Sequence, residues 1–232
     1  AFRRFNRRTE LPAPEKDAGL HRLSAPVIFL RAKLNQPQRS PIVAEAVAYL
    51  NNRRASVAWD GGKLTTGRHR EPLEFDGEGP LLVWDLRGIL KNRPVPGALA
   101  LNPKRETLVD SGMVWGEDVI DAIMADRGSV IVPLRSLRGW VELDDALSYA
   151  ELELVSIDWA GGPVEAHSDF RGDIIDILRQ LLRRNIPRVM VNSLDGSFPF
   201  IPAGLAGSVQ LDVALLTDGH PPNWASEVFR FG

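Results

Sequence analysis

Asp85, Asp158, Lys33, Arg87, Arg135 and Asn192 are the side chains whose types and positions best suit chemistry. Five apolar runs end in a polar or charged residue: FLRAK (29–33), VAWDGG (57–62), VWDLRG (83–88), VSIDWAGG (155–162) and VMVNSLDG (189–196). A buried strand that stops at a charge has reached the rim of its sheet. In α/β folds the rim at the carboxyl ends of the strands is where ligands sit. Residues two apart on a strand share a face, so Arg31 pairs with Lys33 and Asp85 with Arg87. A barrel built from these strands collects Lys33, Asp60, Asp85, Arg87, Arg135, Asp158 and Asn192 at one mouth. Asp85 and Asp158 could then hold Mg²⁺ and act as catalytic acids on a phosphodiester or nucleotide. Lys33, Arg87, Arg135 and Asn192 would grip the substrate, with guanidinium and ammonium groups on its oxyanions. The plainer reading carries more weight: charges at strand ends cap a sheet, pair with one another and stay solvated.

Known catalytic signatures are incomplete here. HSDFRGD (167–173) looks like the Ser-Asp-x-His-Gly-Asp signature of metallophosphoesterases, but Arg171 stands where the ligand histidine belongs. A helix start capped by Asp169 explains the same letters. VWDLRG is similar to the haloacid-dehalogenase nucleophile motif, which needs a second acid where Arg87 stands. His21, His69, His167 and His220 lack metal-ligand spacing. Gly61-Gly62 and Gly161-Gly162 read as turn glycines, and there is no G-x-S-x-G elbow. No resident metal site is expected from these letters.

Positioning such a rim requires alternating strands and helices. Strands are expected at 26–32, 55–59, 80–86, 97–101, 129–133, 151–157, 188–191 and 209–215. Ser40 as N-cap with Pro41 at the first helical position predicts a helix carrying Ile42, Val43, Ala46, Val47 and Leu50 on one stripe. Further helices are expected over 117–127, 144–150 and from Asp173 to Arg184, the last stopped by Asn185-Ile186-Pro187. Residues 63–80 read as a loop or short hairpin. Alternation of this kind favours a parallel sheet. Eight units in 232 residues predict an irregular, TIM-barrel-like (β/α)8 fold, with an open mixed or doubly wound sheet as the alternative. Trp59, Trp84 and Trp159 have the opposite parity to the neighbouring acids, so they are expected to point outward beneath helices. Trp224 is expected to staple the C-terminal tail.

Composition bounds the rest. The net charge of −2 argues against a chain-wide nucleic-acid footprint. The absence of cysteine excludes disulfides, thiolate nucleophiles and Cys-type zinc sites. No apolar run approaches the length of a membrane span, and the opening AFRRFNRRTE has no apolar signal-peptide core. A cytoplasmic protein without membrane attachment is the expectation. Residues 1–25 differ from the remainder: Arg3, Arg4, Arg7 and Arg8 cluster with Phe2 and Phe5 ahead of Pro12 and Pro14. They read as a basic N-terminal arm before a single α/β domain over 26–232. Such an arm is either solvated or docks on a protein partner, a sister subunit or nucleic acid.

Several segments together resemble the phage beta-protein family: PVIFLRAK (26–33), PLLVWDLRGI (80–89), SVIVPLRS (129–136), LELVSIDW (152–159) and RVMVNSLDGSFP (188–199). In that family a basic residue follows the first strand, Asp-Leu-Arg follows a middle strand and Ser-Phe-Pro ends a late one. These features fall here on Lys33, on Asp85-Leu86-Arg87 and on Ser197-Phe198-Pro199. The second expected strand departs from the family pattern, ending in AWDGG. The resemblance implies a barrel-like α/β fold in a phage or phage-defence setting, and no reaction. Two functions follow as expectations. One is a binding module that engages a macromolecular partner through the arm and the strand-end rim. The other is an Mg²⁺-dependent enzyme acting on a phosphate-containing substrate.

Overall fold

Residues 42–50, IVAEAVAYL, form a β-strand, β1 (Ile42–Leu50), and not the expected helix. Ile42, Val43, Ala46, Val47 and Leu50 do fit a helical stripe, but a second periodicity wins. Ala44, Ala46 and Ala48 alternate with Glu45, Val47 and Tyr49, and the alanines face the same interior as Leu82 and Trp84. Small residues are required there because large rings from neighbouring strands fill the space. The computed structural model describes residues 41–51, 53–67, 78–94, 105–125, 129–164, 168–170 and 172–231. The expected basic arm over 1–25, the strands at 26–32 and 97–101, and Lys33 lie outside the described residues.

After β1 the chain forms β2 (Arg53–Ala55), β3 (Val57–Asp60) and β4 (Lys63–Thr66), then β5 (Leu81–Asp85) and helix α1 (Leu86–Lys91). Next come β6 (Thr107–Asp110), α2 (Gly116–Met124), β7 (Ser129–Pro133), α3 (Trp140–Tyr149), β8 (Leu154–Trp159) and the short β9 (Pro163–Val164). The chain ends with α4 (Ile174–Arg183), β10 (Arg188–Ser193), α5 (Ala203–Ala206), β11 (Gln210–Leu215) and β12 (Glu227–Phe231).

Eight of these strands close into a parallel barrel. Going round, β1 pairs with β5, then β6, β7, β8, β10, β11 and β12, and β12 returns to β1. The TIM-barrel-like fold is therefore the architecture, in an irregular version. The strand count matches the expectation with a partly different set. β1, β6 and β12 were not expected, and 55–59 lies outside the barrel wall. Its residues belong to β2, which folds back on the end of β1, and to the separate β3–β4 hairpin.

The interior holds Ala46, Ala48, Leu82, Trp84, Leu108, Ile131, Leu154, Met190, Ala214 and Phe229. The outer faces of β7, β8, β10 and β11 contribute Val132, Val155, Ile157, Val189 and Leu211 to a layer beneath α2, α3 and α4. Helix α4 is the most amphipathic of the described helices. It buries Ile174, Ile177, Leu178 and Leu181, with Asp173 accepting from the Ile175 amide as its cap. Asp173, and not Asp169, is thus the N-cap of this helix. Asn185, in the left-handed region at φ 59°, ends it. Helix α3 starts at Trp140, four residues ahead of the expected start, directly after Gly139 at φ 103°.

Candidate functional site at the barrel mouth

The site is built from the carboxyl ends of consecutive barrel strands. On β8, Leu154 packs in the interior and Val155 and Ile157 pack outside, so alternation turns Ser156 and Asp158 inward. On β10 the same rule turns Met190 and Asn192 inward. On β6, Leu108 faces the interior and Asp110 follows it on the same face. Arg135 sits in the turn just past β7 and reaches back over the opening.

These residues form one network. Arg135 Nη1 donates to both Asp158 oxygens, Oδ1 and Oδ2, at 3.1 Å each. Its Nη2 donates to Asp110 Oδ2 at 2.8 Å. Asn192 Nδ2 donates to Asp158 Oδ1 at 2.7 Å, and Asp110 Oδ1 accepts the Gly112 amide at 3.0 Å. The guanidinium also lies over the Trp84 ring, 5.5 Å from its centroid. That ring meets Phe231 at 4.7 Å and a 59° tilt. The Arg135 side chain is 9% exposed, Asp158 1% and Asp110 0%.

Burial sets the electrostatics. It would lower the Arg135 pKa, but the Asp110 and Asp158 carboxylates outweigh it, and the guanidinium is held charged more firmly than usual. At Asp158 burial dominates and pushes the carboxyl above its ordinary range, against the pull of Arg135 and Asn192. Two carboxylates share one cation, so the site resists a further anion.

Three polar atoms in this interior have no hydrogen-bond partner among the described residues: Trp84 Nε1, Ser156 Oγ and Asn192 Oδ1. Their residues are each 1% exposed. Val57 on β3 and Trp59 beside it, with Leu64 on β4, pack against the interior cluster, together with Ala160, Val164 and Leu216.

The structure thus brings Arg135, Asp158 and Asn192 together, and it adds Asp110. Asp110 ends TLVD (107–110), which is itself an apolar run meeting a charge, so the signal for it was present in the sequence. Asp85 and Arg87 have other positions. Asp85 is fully buried at the N-terminus of α1, where Oδ1 accepts the Arg87 amide at 3.1 Å. Alternation places it with Leu81 and Val83 on the outer face of β5, against Val47, Tyr49 and Val109. Arg87 is exposed on α1, so the two share no strand face. Asp60 is exposed at the turn of the β3–β4 hairpin. Trp84 corrects the expectation for the tryptophans: it faces the interior, and only Trp159 joins the layer under the helices. Trp224 packs edge-on against Phe198 at 6.3 Å, just ahead of β12.

Among the described residues no group of three or more His, Cys, Asp or Glu side chains is arranged to hold a metal ion. No described helix is long and apolar enough to cross a membrane. Compared with protein-family models and with curated proteins, the chain matches none.

Proposed function

We propose that this protein is a binding module of phage or phage-defence type that engages a macromolecular partner through its strand-end rim and its basic N-terminal arm. The observation that carries this reading is the mutual pairing at the mouth. Arg135 is held by Asp110 and Asp158, and Asp85 caps a helix, so the charged groups suited to catalysis are engaged with the fold itself. Beyond β10 the chain instead presents a large apolar side chain to solvent, Phe200, which is 82% exposed. An exposed aromatic on a loop at the end of a rigid barrel is suited to anchoring a partner. The phage setting rests on the resemblance at 26–33, 80–89, 129–136, 152–159 and 188–199, and the cytoplasmic setting on composition.

The test uses the full chain and two variants: Phe200→Ser, and the arm with Arg3, Arg4, Arg7 and Arg8 all changed to Ser. Tagged protein from phage-infected cells is expected to retain a specific protein or nucleic acid that both variants lose. Light scattering on the same proteins separates self-association from a foreign partner. Unchanged retention by both variants would overturn the proposal.

A second reading, an Mg²⁺-dependent enzyme acting on a phosphate-containing substrate, is favoured by one feature. Asp110 and Asp158 meet at the end of a barrel where such enzymes keep reacting groups. Under it, Mg²⁺ or Mn²⁺ raises the melting temperature, and Asp158→Asn and Asp110→Asn each remove the rise.

A further inference from the structure

Helices α2 and α3 lie side by side on the outside of the barrel. Each returns from the carboxyl end of one parallel strand to the start of the next, so the two run in the same direction. They meet at Gly116. A Cβ there would stand 2.8 Å from both Asp145 Oδ2 and Glu142 O, and its amide donates to Glu142 Oε2 at 2.9 Å. Ile120 and Ile123 follow Gly116 at helical spacing, and Tyr149 follows Asp145 in the same way, so they continue the seam between the helices.

This helix pair exposes apolar bulk. Among the described residues nine large apolar side chains are exposed, and five of them lie on α2, on α3 or at the start of α2: Trp115, Ile123, Met124, Val141 and Tyr149. Met124 is 80% and Tyr149 70% exposed. Exposed apolar residues scattered singly are ordinary, whereas a group of them on one face marks an interaction site.

The charge on the same face has one sign. Residues 115–125 and 139–154 hold eight acids and no lysine or arginine. Asp118 and Glu142 serve the fold by accepting the Val114, Trp115 and Gly116 amides, and Asp144 pairs with Arg184. Glu117, Asp121, Asp145, Glu151 and Glu153 are exposed and have no ion pair among the described residues. Glu117 and Asp121 stand at i, i+4, where like charges destabilise a helix. The helix ends add to the field. Lys91 and Arg183 occupy the last turns of α1 and α4, but the last turns of α2 and α3 contain no basic residue, so nothing there offsets the negative pole.

Cations supplied from outside would relieve both costs. They must arrive with apolar bulk, because Met124 shares the stripe of Glu117 and Asp121, and Val141 and Tyr149 share that of Asp145. Nucleic acid and anionic lipid are repelled by these charges. The complementary chemistry is a polypeptide segment in which Arg or Lys alternates with bulky apolar side chains. We propose that the α2–α3 face binds a basic amphipathic segment of a partner protein. This surface goes beyond the strand-end rim, the Phe200 loop and the arm, and shares no residue with them, so it stands or falls separately.

The test uses the full chain and fluorescence anisotropy. The probe is a labelled peptide of Leu-Arg-Arg-Leu repeats, compared with peptides of Leu-Glu-Glu-Leu and Ser-Arg-Arg-Ser repeats. The first is expected to bind saturably, and each of the others at least about tenfold more weakly, since one lacks the cations and the other the apolar anchors. The double variants Met124→Ser with Tyr149→Ser and Glu117→Lys with Asp121→Lys are each expected to weaken the first peptide about tenfold. These four side chains are partly or fully exposed, and unchanged melting temperatures show that the fold survives. Phe200→Ser is expected to leave binding as it is. The proposal is overturned if the first peptide does not bind, if either comparison peptide binds as tightly, if the double variants bind like the parent, or if Phe200→Ser removes binding. It is also overturned if changing Arg3, Arg4, Arg7 and Arg8 to Ser makes the probe bind far more tightly, because the occupant is then the first segment of this chain and not a foreign partner.

Discussion

Arg135 and Asp158 meet at the barrel mouth through one nitrogen on two oxygens, Nη1 to Oδ1 and Oδ2, at 3.1 Å each. Asp110 takes the other terminal nitrogen at 2.8 Å. Removing one member of a buried ion network leaves the remaining charges without compensation, at about 3–5 kcal/mol. Arg135→Met is therefore expected to lower the urea-unfolding free energy by an amount of that order. Adding Asp110→Asn and Asp158→Asn to the same chain should recover most of it, because the uncompensated carboxylates are then gone. A loss for Arg135→Met below about 1 kcal/mol, the size of an exposed pair, contradicts the description of the mouth.

Burial also fixes how stability responds to pH. It raises the carboxyl pKa of Asp158, of Asp212 and of Glu227, where the Asp212 charge adds to it. A group whose pKa is higher in the folded chain stabilises fully below its unfolded value, about 4 for a carboxyl, and that contribution disappears as pH rises through the folded value. Stability is expected to fall with rising pH across that window. Glu45 works in the other direction. Burial opposes the shift, but Arg54 and Arg105 outweigh it and lower the pKa, so its contribution is lost as pH falls through its folded value. Urea midpoints measured against pH should decline less steeply in Asp158→Asn than in the parent. A steeper decline in the variant would contradict the raised Asp158 value.

The opposite end of the barrel carries a second ion network. Arg188, the first residue of β10, bonds to Asp212 and, at 2.9 Å, to Glu227 Oε2, with Glu106 Oε1 at 3.7 Å. Asp212 is fully buried and also accepts the Glu227 amide at 3.1 Å. Arg188→Met is expected to cost about 3 kcal/mol by stranding that carboxylate. Asp212→Asn should cost much less in the Arg188→Met background than in the parent. A double-mutant cycle by urea denaturation reads the coupling directly, and simple additivity would show that the pair carries no net interaction.

The parts of the fold legible in the sequence are those where periodicity and burial agree. LLVWD, SVIVP and RVMVNS are buried runs of strand length, and they are barrel strands. In ELELVSIDW the strand keeps the last six residues, Leu154–Trp159. IVAEAVAYL satisfies both a helical and an alternating pattern. Only the surrounding rings, Trp84 and Phe231, reveal why its alanines must face inward as a strand. On β5 the parity was ambiguous because the whole strand is buried on both faces, so nothing in LLVWD says whether Trp84 or Asp85 turns inward. TLVD is short for a strand and follows a charged run, and it is recognisable only once its neighbours β5 and β7 are placed. Arg135, Asp158 and Asn192 were identifiable because strand ends were marked by their charges. Their pairing with Asp110 depends on sheet order, which a single sequence does not state.

Asp110 is held in place by a backbone contact that gives the sharpest test of the site's construction. Helix α1 lies so close to the loop after β6 that a Cβ on Gly88 would stand 2.0 Å from Ser111 O. One on Gly112, at φ 67°, would stand 2.6 Å from Ile89 Cα. Gly112 is also the residue whose amide Asp110 accepts. Helix propensity by itself predicts that Gly88→Ala stabilises the chain by up to about 1 kcal/mol, since alanine is the better helix former. The close approach predicts the reverse: overpacking of this kind costs about 1–3 kcal/mol. Gly112→Ala adds left-handed backbone strain to its clash. Gly161→Ala serves as the control, because Gly161 shares a positive φ of 69° but has no atom within 4 Å of the added Cβ. Thermal and urea denaturation of the three variants should rank Gly161→Ala as the mildest. A stabilised Gly88→Ala would mean that α1 and the loop after β6 are not in contact, and the anchoring of the mouth network would have to be sought elsewhere.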